Sequence, residues 1–346
     1  MADTYNGRLK PGAYKGVLGA SESHDTLSAT KAKVDELAAL VAGARHVVVH
    51  TGAGISVGAG IADFRSATGV WTAEAVAAGE LDVEDMGKVS SASRPPSEAM
   101  DAVAAHGFRA ARPTYVHRAL SFLVARGIVA FIVSQNVDGL HLRAGTPASK
   151  IAELHGNVFK EWCAKCGAGY VGKVELKSVG FKPTGRVCLH CRGPMLDCIL
   201  DWDDALPANA LDAAIAHSRA ADLSIVLGSS LQIAPARGLP VRTTRKNGKA
   251  APGALAVVNL QPTCVDRHAA VRIGYDVQGV MAMLMERLGL GEALGTWEAP
   301  PPVLGWIDAP ESPQAAARST RKRGQRPSTD EEPSLAPAVK RSKGLE

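Results

Sequence analysis

Four cysteines form two Cys-x2-Cys pairs, Cys163 with Cys166 and Cys188 with Cys191, and 21 residues separate the pairs. This is the spacing of a zinc-ribbon site, in which four thiolates satisfy tetrahedral Zn²⁺ and leave no open position for a reactant. The intervening segment has too few apolar residues for a core of its own, so metal binding would supply its folding energy. We therefore predict one structural zinc; the alternative is four unrelated buried thiols.

A glycine-rich stretch, HTGAGISVGAGIADFR, occupies residues 50–65. It lacks the lysine of the phosphate loop of triphosphatases, and Gly52-x-Gly54 is not continued as the GxGxxG fingerprint of dinucleotide-binding folds. Glycines after a buried strand let the backbone approach a pyrophosphate, whose charge is favoured at a helix N-terminus. Taken alone, the stretch fits a tight turn as well as a nucleotide site.

Polar clusters follow the apolar runs of the sequence. Asp63, Phe64 and Arg65 supply a carboxylate, an aromatic face and a guanidinium within three positions. Further clusters are SQNVDGLH (134–141), ELHGN (153–157), GSS (228–230) and NLQ (259–261). Open α/β sheets bind ligands at the carboxyl ends of their strands, so we expect these clusters to share one cleft.

The elements that must position these clusters alternate between two patterns. Short apolar runs rich in β-branched residues predict buried strands at residues 45–50, 128–134, 223–228 and 255–260. Apolar spacing typical of helices occurs at residues 27–43, 114–127, 209–221 and 277–290. Strands that alternate with helices predict an α/β fold: a Rossmann-like, doubly wound parallel sheet with a small inserted zinc-ribbon module.

The net charge of +5 is unevenly distributed. Residues 311–346 hold eight Lys/Arg against five Asp/Glu, so the remainder is nearly neutral, which argues against a protein that wraps nucleic acid. No apolar run reaches the ~20 residues of a membrane span, and the N-terminus lacks the apolar core of a secretory signal. We therefore expect no membrane association.

The motifs together, in order and spacing, resemble the sirtuin family of NAD-dependent protein deacylases. They are GAGIS followed by GIADFR, then QNVDGLH, ELHGN, the paired cysteines, GSS and NLQ, and they cover about residues 30–290. GVWT (69–72) and ILDWDDALP (199–207) are similar to the nuclear, chromatin-associated class IV branch that includes human sirtuin-6. Position 62 departs from the family pattern, with Ala62 where proline is usual.

The resemblance implies that NAD is the co-substrate and that acyl-lysine enters from the opposite side of the cleft. His155 would be the general base, a task suited to an imidazole pKa of ~6.5. Asn136 would hold the ribose and an ordered water with support from Asp138, and Asp63 would receive the nicotinamide carboxamide.

The same resemblance implies further NAD-binding residues. Arg65 would meet phosphate, and Phe64 would shield the reactive ribose carbon. The rest of the implied NAD site is Gly52, Ala53, Gly54, Ser56, Trp71, Gln135, Gly228, Ser229, Ser230, Asn259, Gln261 and Val277.

The expected organisation follows from these assignments. It is an N-terminal arm (1–26), a Rossmann-like NAD-binding catalytic domain (27–162 and 199–290), a zinc-binding module (163–198), an inserted loop (75–112) and a disordered, basic, proline-rich tail (295–346). The resemblance implies an acyl-lysine protein substrate bound as a strand beside residues 199–202. Asp203 and Asp204 favour a basic, histone-like peptide, or else form a solvated acidic turn.

The tail carries RKRGQRP (321–327) and VKRSK (339–343), which resemble nuclear-import clusters, so we expect a nuclear, chromatin-associated protein, with the cytoplasm as the alternative. Three other functions remain open. The same site could transfer ADP-ribose from NAD to a protein, the chain could be a non-catalytic zinc-containing chromatin adaptor, or, least favoured, it could be a dehydrogenase. Acyl-chain preference and oligomeric state do not follow from the sequence.

Overall fold

A computed structural model of the chain describes residues 5–10, 15–86, 95–246, 249–250 and 253–307. All of these lie within one compact unit. The two basic clusters of the tail lie outside the described residues, so nuclear import stays a prediction. No helix in the described ranges combines the length and apolar character that a bilayer crossing requires.

Helices and strands alternate through the larger part of the described chain. The helices are α1 (Leu27–Gly43), α2 (Val70–Ala77), α3 (Ser97–His106), α4 (Tyr115–Ala125), α5 (Leu140–Arg143), α6 (Ala208–Ala220), α7 (Val277–Arg287) and α8 (Gly291–Gly295). The strands are β1 (Val47–Thr51), β2 (Val129–Ser134), β3 (Ile151–Glu153), β4 (Lys160–Cys163), β5 (Gly169–Val171), β6 (Pro183–Val187), β7 (Pro194–Asp197), β8 (Leu223–Leu227), β9 (Arg245–Lys246), β10 (Lys249–Ala250), β11 (Ala254–Val258), β12 (Val271–Ile273) and β13 (Gly305–Ile307).

The large sheet has six strands in the order β12-β11-β8-β1-β2-β3, and every neighbouring pair is parallel. The predicted α/β class with a parallel sheet is therefore confirmed. The chain runs outward from β1 to β2 and β3 and then returns to β8 on the other side of β1. Such a reversal of strand order opens a crevice at the carboxyl ends of β1 and β8, and the glycine-rich stretch and GSS follow those two ends.

Both faces of this sheet are covered, which explains the continuous apolar run of β1. Val47 and Val49 belong to one core cluster and Val48 to another, because successive side chains of a strand point to opposite faces. Helices α1, α4 and α7 contribute to the first cluster and α6 to the second. All three valines are at most 1% exposed, and each buried valine contributes about 1.5–3 kcal/mol.

A second sheet carries the paired cysteines. Its five strands are antiparallel, in the order β13-β5-β4-β7-β6. Cys163 ends β4, and Cys188 directly follows β6. The inserted module of the sequence analysis is therefore a small sheet that joins the large one through the segments before β4 and after β7.

The region predicted as a disordered tail differs from the prediction at its beginning. Residues 305–307 form β13, which pairs with β5 in the cysteine-bearing sheet. Trp306 packs edge-on against Tyr170 and His190, with ring centroids 5.4 and 4.4 Å away. Local composition did not reveal this strand, because its partner lies more than 130 residues earlier in the sequence.

Within the predicted inserted loop at 75–112, the structure contains a helix, α3, at Ser97–His106. The carbonyl of Phe108 accepts a hydrogen bond from Arg143 (3.0 Å), and the Phe108 N–H donates to Glu175 (2.9 Å). These contacts hold the end of the insertion to α5 and to the segment that follows β5. Residues 87–94 of the insertion lie outside the described residues.

Candidate active site

A cavity of about 220 Å³ lies at the carboxyl ends of the large sheet. Its walls come from the segments that follow β1, β2, β3, β8 and β11, as expected of a shared cleft. All but two of the non-metal site residues predicted from the sequence line it, namely Gly52, Ala53, Gly54, Asp63, Phe64, Arg65, Trp71, Gln135, Asn136, His155, Gly228, Ser229, Ser230, Asn259, Gln261 and Val277.

The two exceptions, Ser56 and Asp138, lie behind the wall. The Ser56 hydroxyl donates to an Asp138 oxygen (2.7 Å), and the Asn136 amide donates to the carbonyl of Gly52 (3.0 Å) and to the Ser56 oxygen (3.3 Å). The other Asp138 oxygen accepts the N–H of Leu140 (2.8 Å). These bonds fix Asn136 at the wall, so Ser56 and Asp138 support the site without lining it.

His155 lies just after β3 and lines the cavity. Its Nδ1–H donates to the carbonyl of Gln135 (3.0 Å), which fixes the tautomer because a carbonyl can only accept. Its Nε2 is buried and has no hydrogen-bond partner in the part of the chain that the structure describes. Burial lowers the pKa of His155 and the charge of Arg65 adds to this, whereas the Gln135 carbonyl opposes it. The ring is therefore neutral near pH 7, with a lone pair available on Nε2.

Asp63 accepts two backbone hydrogen bonds on one oxygen, from the N–H groups of Arg65 (2.9 Å) and Ser66 (2.8 Å). Burial raises the pKa of this carboxyl, although these N–H groups act in the opposite direction. The Arg65 guanidinium lies 4.5 Å above the ring of Trp71, which also contacts Phe64 (4.5 Å between centroids). A carboxyl, a guanidinium and two aromatic rings are thus held together at one end of the cavity.

Gly52 and Gly54 have a structural reason besides the predicted approach to a pyrophosphate, which stays a prediction. A Cβ added to Gly52 would lie 2.6 Å from the Ser229 Cβ, and one added to Gly54 would lie 2.8 Å from the Gly228 Cα. The N–H of Gly54 donates to the carbonyl of Gly228 (2.9 Å). The glycines are therefore required for the contact between the two loops at the switch point, whether or not they also approach a pyrophosphate.

A family model described as the Sir2 family matches residues 52–235. The NAD-dependent protein deacetylase Sirt6 of Drosophila melanogaster is 38% identical over 299 residues, which cover 84% of this chain and 86% of that protein. The chain belongs to the Sir2 family.

Other relatives place this Sir2 chain near the class IV branch that its motifs resemble. The NAD-dependent protein deacetylase sirtuin-7 of Homo sapiens is 34% identical over 283 residues, which cover 78% of this chain and 64% of that protein. The NAD-dependent protein deacetylase SRT1 of Arabidopsis thaliana is 41% identical over 277 residues, 80% of this chain but 53% of SRT1. This Sir2 chain therefore spans about half the length of SRT1.

Solved Sir2 structures share the fold. One, described as Sir2 with a p53 peptide and NAD⁺, is 30% identical with a TM-score of 0.51, and the match covers 74% of this chain and 98% of that one. Another, described as Sir2 bound to acetylated peptide, is 29% identical with the same TM-score and covers 74% and 99%. The residues of the cavity fit NAD, because they offer a nearly buried guanidinium and a buried imidazole nitrogen that has no hydrogen-bond partner among the described residues.

The four paired cysteines of this Sir2 chain fit one structural zinc. Their sulfur atoms all lie within 4.8 Å of one another, and Cys163 and Cys191 approach to 3.4 Å. Tetrahedral zinc with four thiolates spaces its sulfurs about 3.8 Å apart. No position remains for a reactant, so the metal would hold the module together rather than take part in chemistry.

Sequence reasoning missed the part that the N-terminal arm plays at the cavity. Arg65 donates from Nε to the carbonyl of Lys15 (2.8 Å), and the carbonyl of Arg65 accepts the N–H of Gly19 (3.0 Å). Gln261 donates to the carbonyl of Ala20 (2.9 Å), and Glu22 lines the cavity. The sequence predicted an N-terminal arm over residues 1–26, but nothing in its polar composition indicated contact with the predicted NAD-binding residues.

The loop contact provides a first prediction. We expect Gly228→Ala to destabilise the chain by about 1–3 kcal/mol, because Gly228 has φ +59° and its Cβ would lie 2.7 Å from the Ile55 nitrogen. NAD binding should weaken as well, since the two loops must separate. Thermal unfolding and NAD titration of the purified protein measure both effects.

Gly79→Ala is the matched control for that variant. Gly79 has a similar φ of +71°, but nothing lies within 4 Å of its added Cβ. It should show the backbone strain alone and leave NAD binding unchanged. Equal losses of NAD affinity in the two variants would contradict a role for the loop contact.

Proposed function

We propose that this Sir2 chain is an NAD-dependent protein-lysine deacylase. The reaction would consume acyl-lysine, NAD and water and would yield free lysine, nicotinamide and 2′-O-acyl-ADP-ribose. Relatives that match most of this chain bear the name NAD-dependent protein deacetylase, which supports the proposal. Removal of longer acyl groups, such as myristoyl, is part of the proposal, because the reaction centre is the same for every chain length.

The observation that carries the proposal is the state of His155. Its Nε2 is buried in the cavity wall without a partner, whereas its Nδ1–H is engaged by Gln135. Such a nitrogen can accept the proton of a ribose hydroxyl, and a proton acceptor of this kind is needed for acyl transfer to that hydroxyl. A protein that only bound NAD would have no need to keep the nitrogen free.

The residues around His155 would hold the reactants. Asn136, fixed by the Gly52 carbonyl and by Ser56, would orient the ribose, and Asp138 would act through Ser56 as a positioning residue. Asp63 would receive the nicotinamide carboxamide on the carboxyl that its own loop holds in place. NAD supplies the electrophilic ribose carbon; the chain supplies orientation, exclusion of water and the proton acceptor.

The protein substrate would enter beside residues 199–204. Leu200, Asp201, Trp202 and Asp204 line the same cavity as His155, so a peptide there would reach the proton acceptor. The centroids of the Trp202 and Trp71 rings are 5.2 Å apart. Three carboxylates at positions 201, 203 and 204 favour a basic substrate, and we propose histone tails as the natural class.

The deciding experiment identifies the product. Histone peptides that carry acetyl-lysine or myristoyl-lysine are incubated with NAD and the full chain, and the products are measured by mass spectrometry. We expect 2′-O-acyl-ADP-ribose in equimolar amount to nicotinamide. ADP-ribose attached to protein, with no acyl transfer, would instead establish the transferase reaction. If the protein consumed no NAD with either peptide, the proposal would be overturned and the non-catalytic adaptor would be favoured.

A further inference from the structure

The N-terminal arm makes an ion pair with the cysteine-bearing part of the chain. Arg8 Nη2 lies 3.0 Å from Glu175 Oε1, and Arg8 Nη1 donates to the carbonyl of Leu176 (2.9 Å). The Arg8 and Glu175 side chains are only 11% and 13% exposed. Glu175 is therefore a nearly buried anion whose charge Arg8 balances.

Two residues later, the arm contacts the acidic turn at 201–204. The N–H of Lys10 donates to Asp201 Oδ1 (3.0 Å), and the Lys10 ammonium lies 3.3 Å from Asp203. The hydrogen bond from Asp203, with the charges around it, raises the pKa of Lys10. Between these two anchors, Leu9 lines the same cavity as His155.

We propose that residues 8–10 form an autoinhibitory strap over the peptide end of the cavity, which a protein substrate must displace. This rests on the proposed function, because it takes the cavity beside 199–204 as the place of the acyl-lysine peptide. The strap connects the cysteine-bearing part of the chain, at Glu175, with the acidic turn at 201–204, and the peptide would lie between these two. The strap itself presents an Arg-x-Lys sequence to the carboxylates on both sides.

The charges define the class of substrate that can replace the strap. Displacement of Arg8 alone would remove the cation paired with the nearly buried Glu175 carboxylate and leave the Phe108 N–H as its remaining hydrogen-bond donor among the described residues, which is unfavourable. A substrate with arginine or lysine near the acyl-lysine would restore the balance, whereas a neutral or acidic peptide would not. The strap therefore selects basic peptides by competition as well as by attraction.

The expected size of the effect on peptide affinity follows from the equilibrium between the closed and the open strap. The apparent association constant for a substrate equals the intrinsic constant multiplied by the fraction of molecules in which the strap is open. If the strap is closed in about nine molecules of ten, opening it should tighten peptide binding about tenfold. An intramolecular segment on a short linker can hold such an occupancy, since its effective concentration is on the order of millimolar.

Two variants that both break the Lys10–Asp203 contact test this in opposite directions. Arg8→Ala combined with Lys10→Ala opens the strap and leaves the number of acidic groups unchanged, so binding of a basic peptide should tighten about tenfold. Asp203→Lys breaks the Lys10 contact equally but removes an anion from the site, so binding should weaken. The readout is fluorescence anisotropy with a labelled peptide in which two arginines flank one acetyl-lysine.

Arg287→Ala is the matched control, because it removes a cation paired with Asp35 on the surface between α1 and α7. Its peptide affinity should equal that of the wild type. An unchanged dissociation constant for the Arg8/Lys10 variant, or weakening in both test variants, would overturn the strap. Tighter peptide binding by the Arg8/Lys10 variant without any NAD-dependent turnover would support the strap and overturn the proposed activity.

Discussion

Replacement of His155 by alanine should reduce the rate of deacylation by about 10²–10⁴-fold, the usual contribution of general acid–base catalysis. The structure gives the reason: Nε2 is the partnerless proton acceptor in the cavity, and the Gln135 carbonyl holds the tautomer that exposes it. The loss should appear in kcat, whereas the KM for NAD should change little. Steady-state rates with an acetyl-lysine histone peptide measure both.

The pH profile of the wild type provides an independent check of the same residue. Burial and the nearby Arg65 lower the pKa of His155, so the imidazole loses its proton at a lower pH than an ordinary histidine. The base is active when neutral, so kcat/KM should rise with pH, and the midpoint of the rise should lie below the ~6.5 of an ordinary histidine. A rise centred above pH 7 would contradict this environment for His155.

His106→Ala is the control for the His155 variant. His106 is exposed at the end of α3 and is not among the residues that line the cavity. It should retain the wild-type rate and the wild-type pH profile. If His155→Ala also kept the wild-type rate, another residue would have to be the proton acceptor, and the proposed role would be wrong.

The core of the fold could be predicted because its signals are local. A parallel strand covered by helices on both faces needs apolar side chains in both directions, and the run at Val47–Val49 shows this directly. The cavity was predictable for a related reason. Polar residues that directly follow buried strands must lie at the same edge of the sheet, which brings His155 near Gly52 although 103 positions separate them.

The contacts that were missed all depend on partners far away in the sequence. Trp306 lies in a proline-rich segment, and its strand exists because β5 offers an open edge to pair with. In the sequence, Arg8 is one cation among the polar residues of the arm, and its pairing with Glu175 becomes visible only in the structure. The reason for Gly54 likewise becomes visible only when Gly228 is seen to pack against it. Periodicity and composition carry no information about such pairs.

Loss of zinc should have the largest effect on stability. The buried core of the cysteine-bearing sheet consists of Cys163, Cys188 and Met195, with partly buried neighbours such as Tyr170 and Trp306. So few apolar groups cannot offset a backbone entropy cost of about 1–2 kcal/mol for each ordered residue. Structural zinc contributes an apparent 10–16 kcal/mol in small zinc domains, so we expect Cys188→Ser to unfold this sheet.

The measurement uses tryptophan fluorescence together with metal analysis. Trp306 packs against His190, next to the metal ligands, so unfolding should shift its emission to longer wavelength. Zinc should fall from one ion per chain to none. Cys264→Ser is the matched control, since Cys264 is an exposed cysteine outside the cluster, and it should keep both zinc and emission. A Cys188→Ser protein with full zinc and unshifted emission would refute the assignment.

Activity should be lost with the metal even though zinc has no part in the chemistry. The connection runs through the segment that leaves β7 and passes beside the proton acceptor. Gly156 has φ +89°, and a Cβ there would lie 1.9 Å from the carbonyl of Cys198, so the two segments are in direct backbone contact. The N–H of Leu200 donates to the carbonyl of His155 (3.4 Å). Release of this segment would free His155, so turnover and tryptophan emission should change together during zinc chelation.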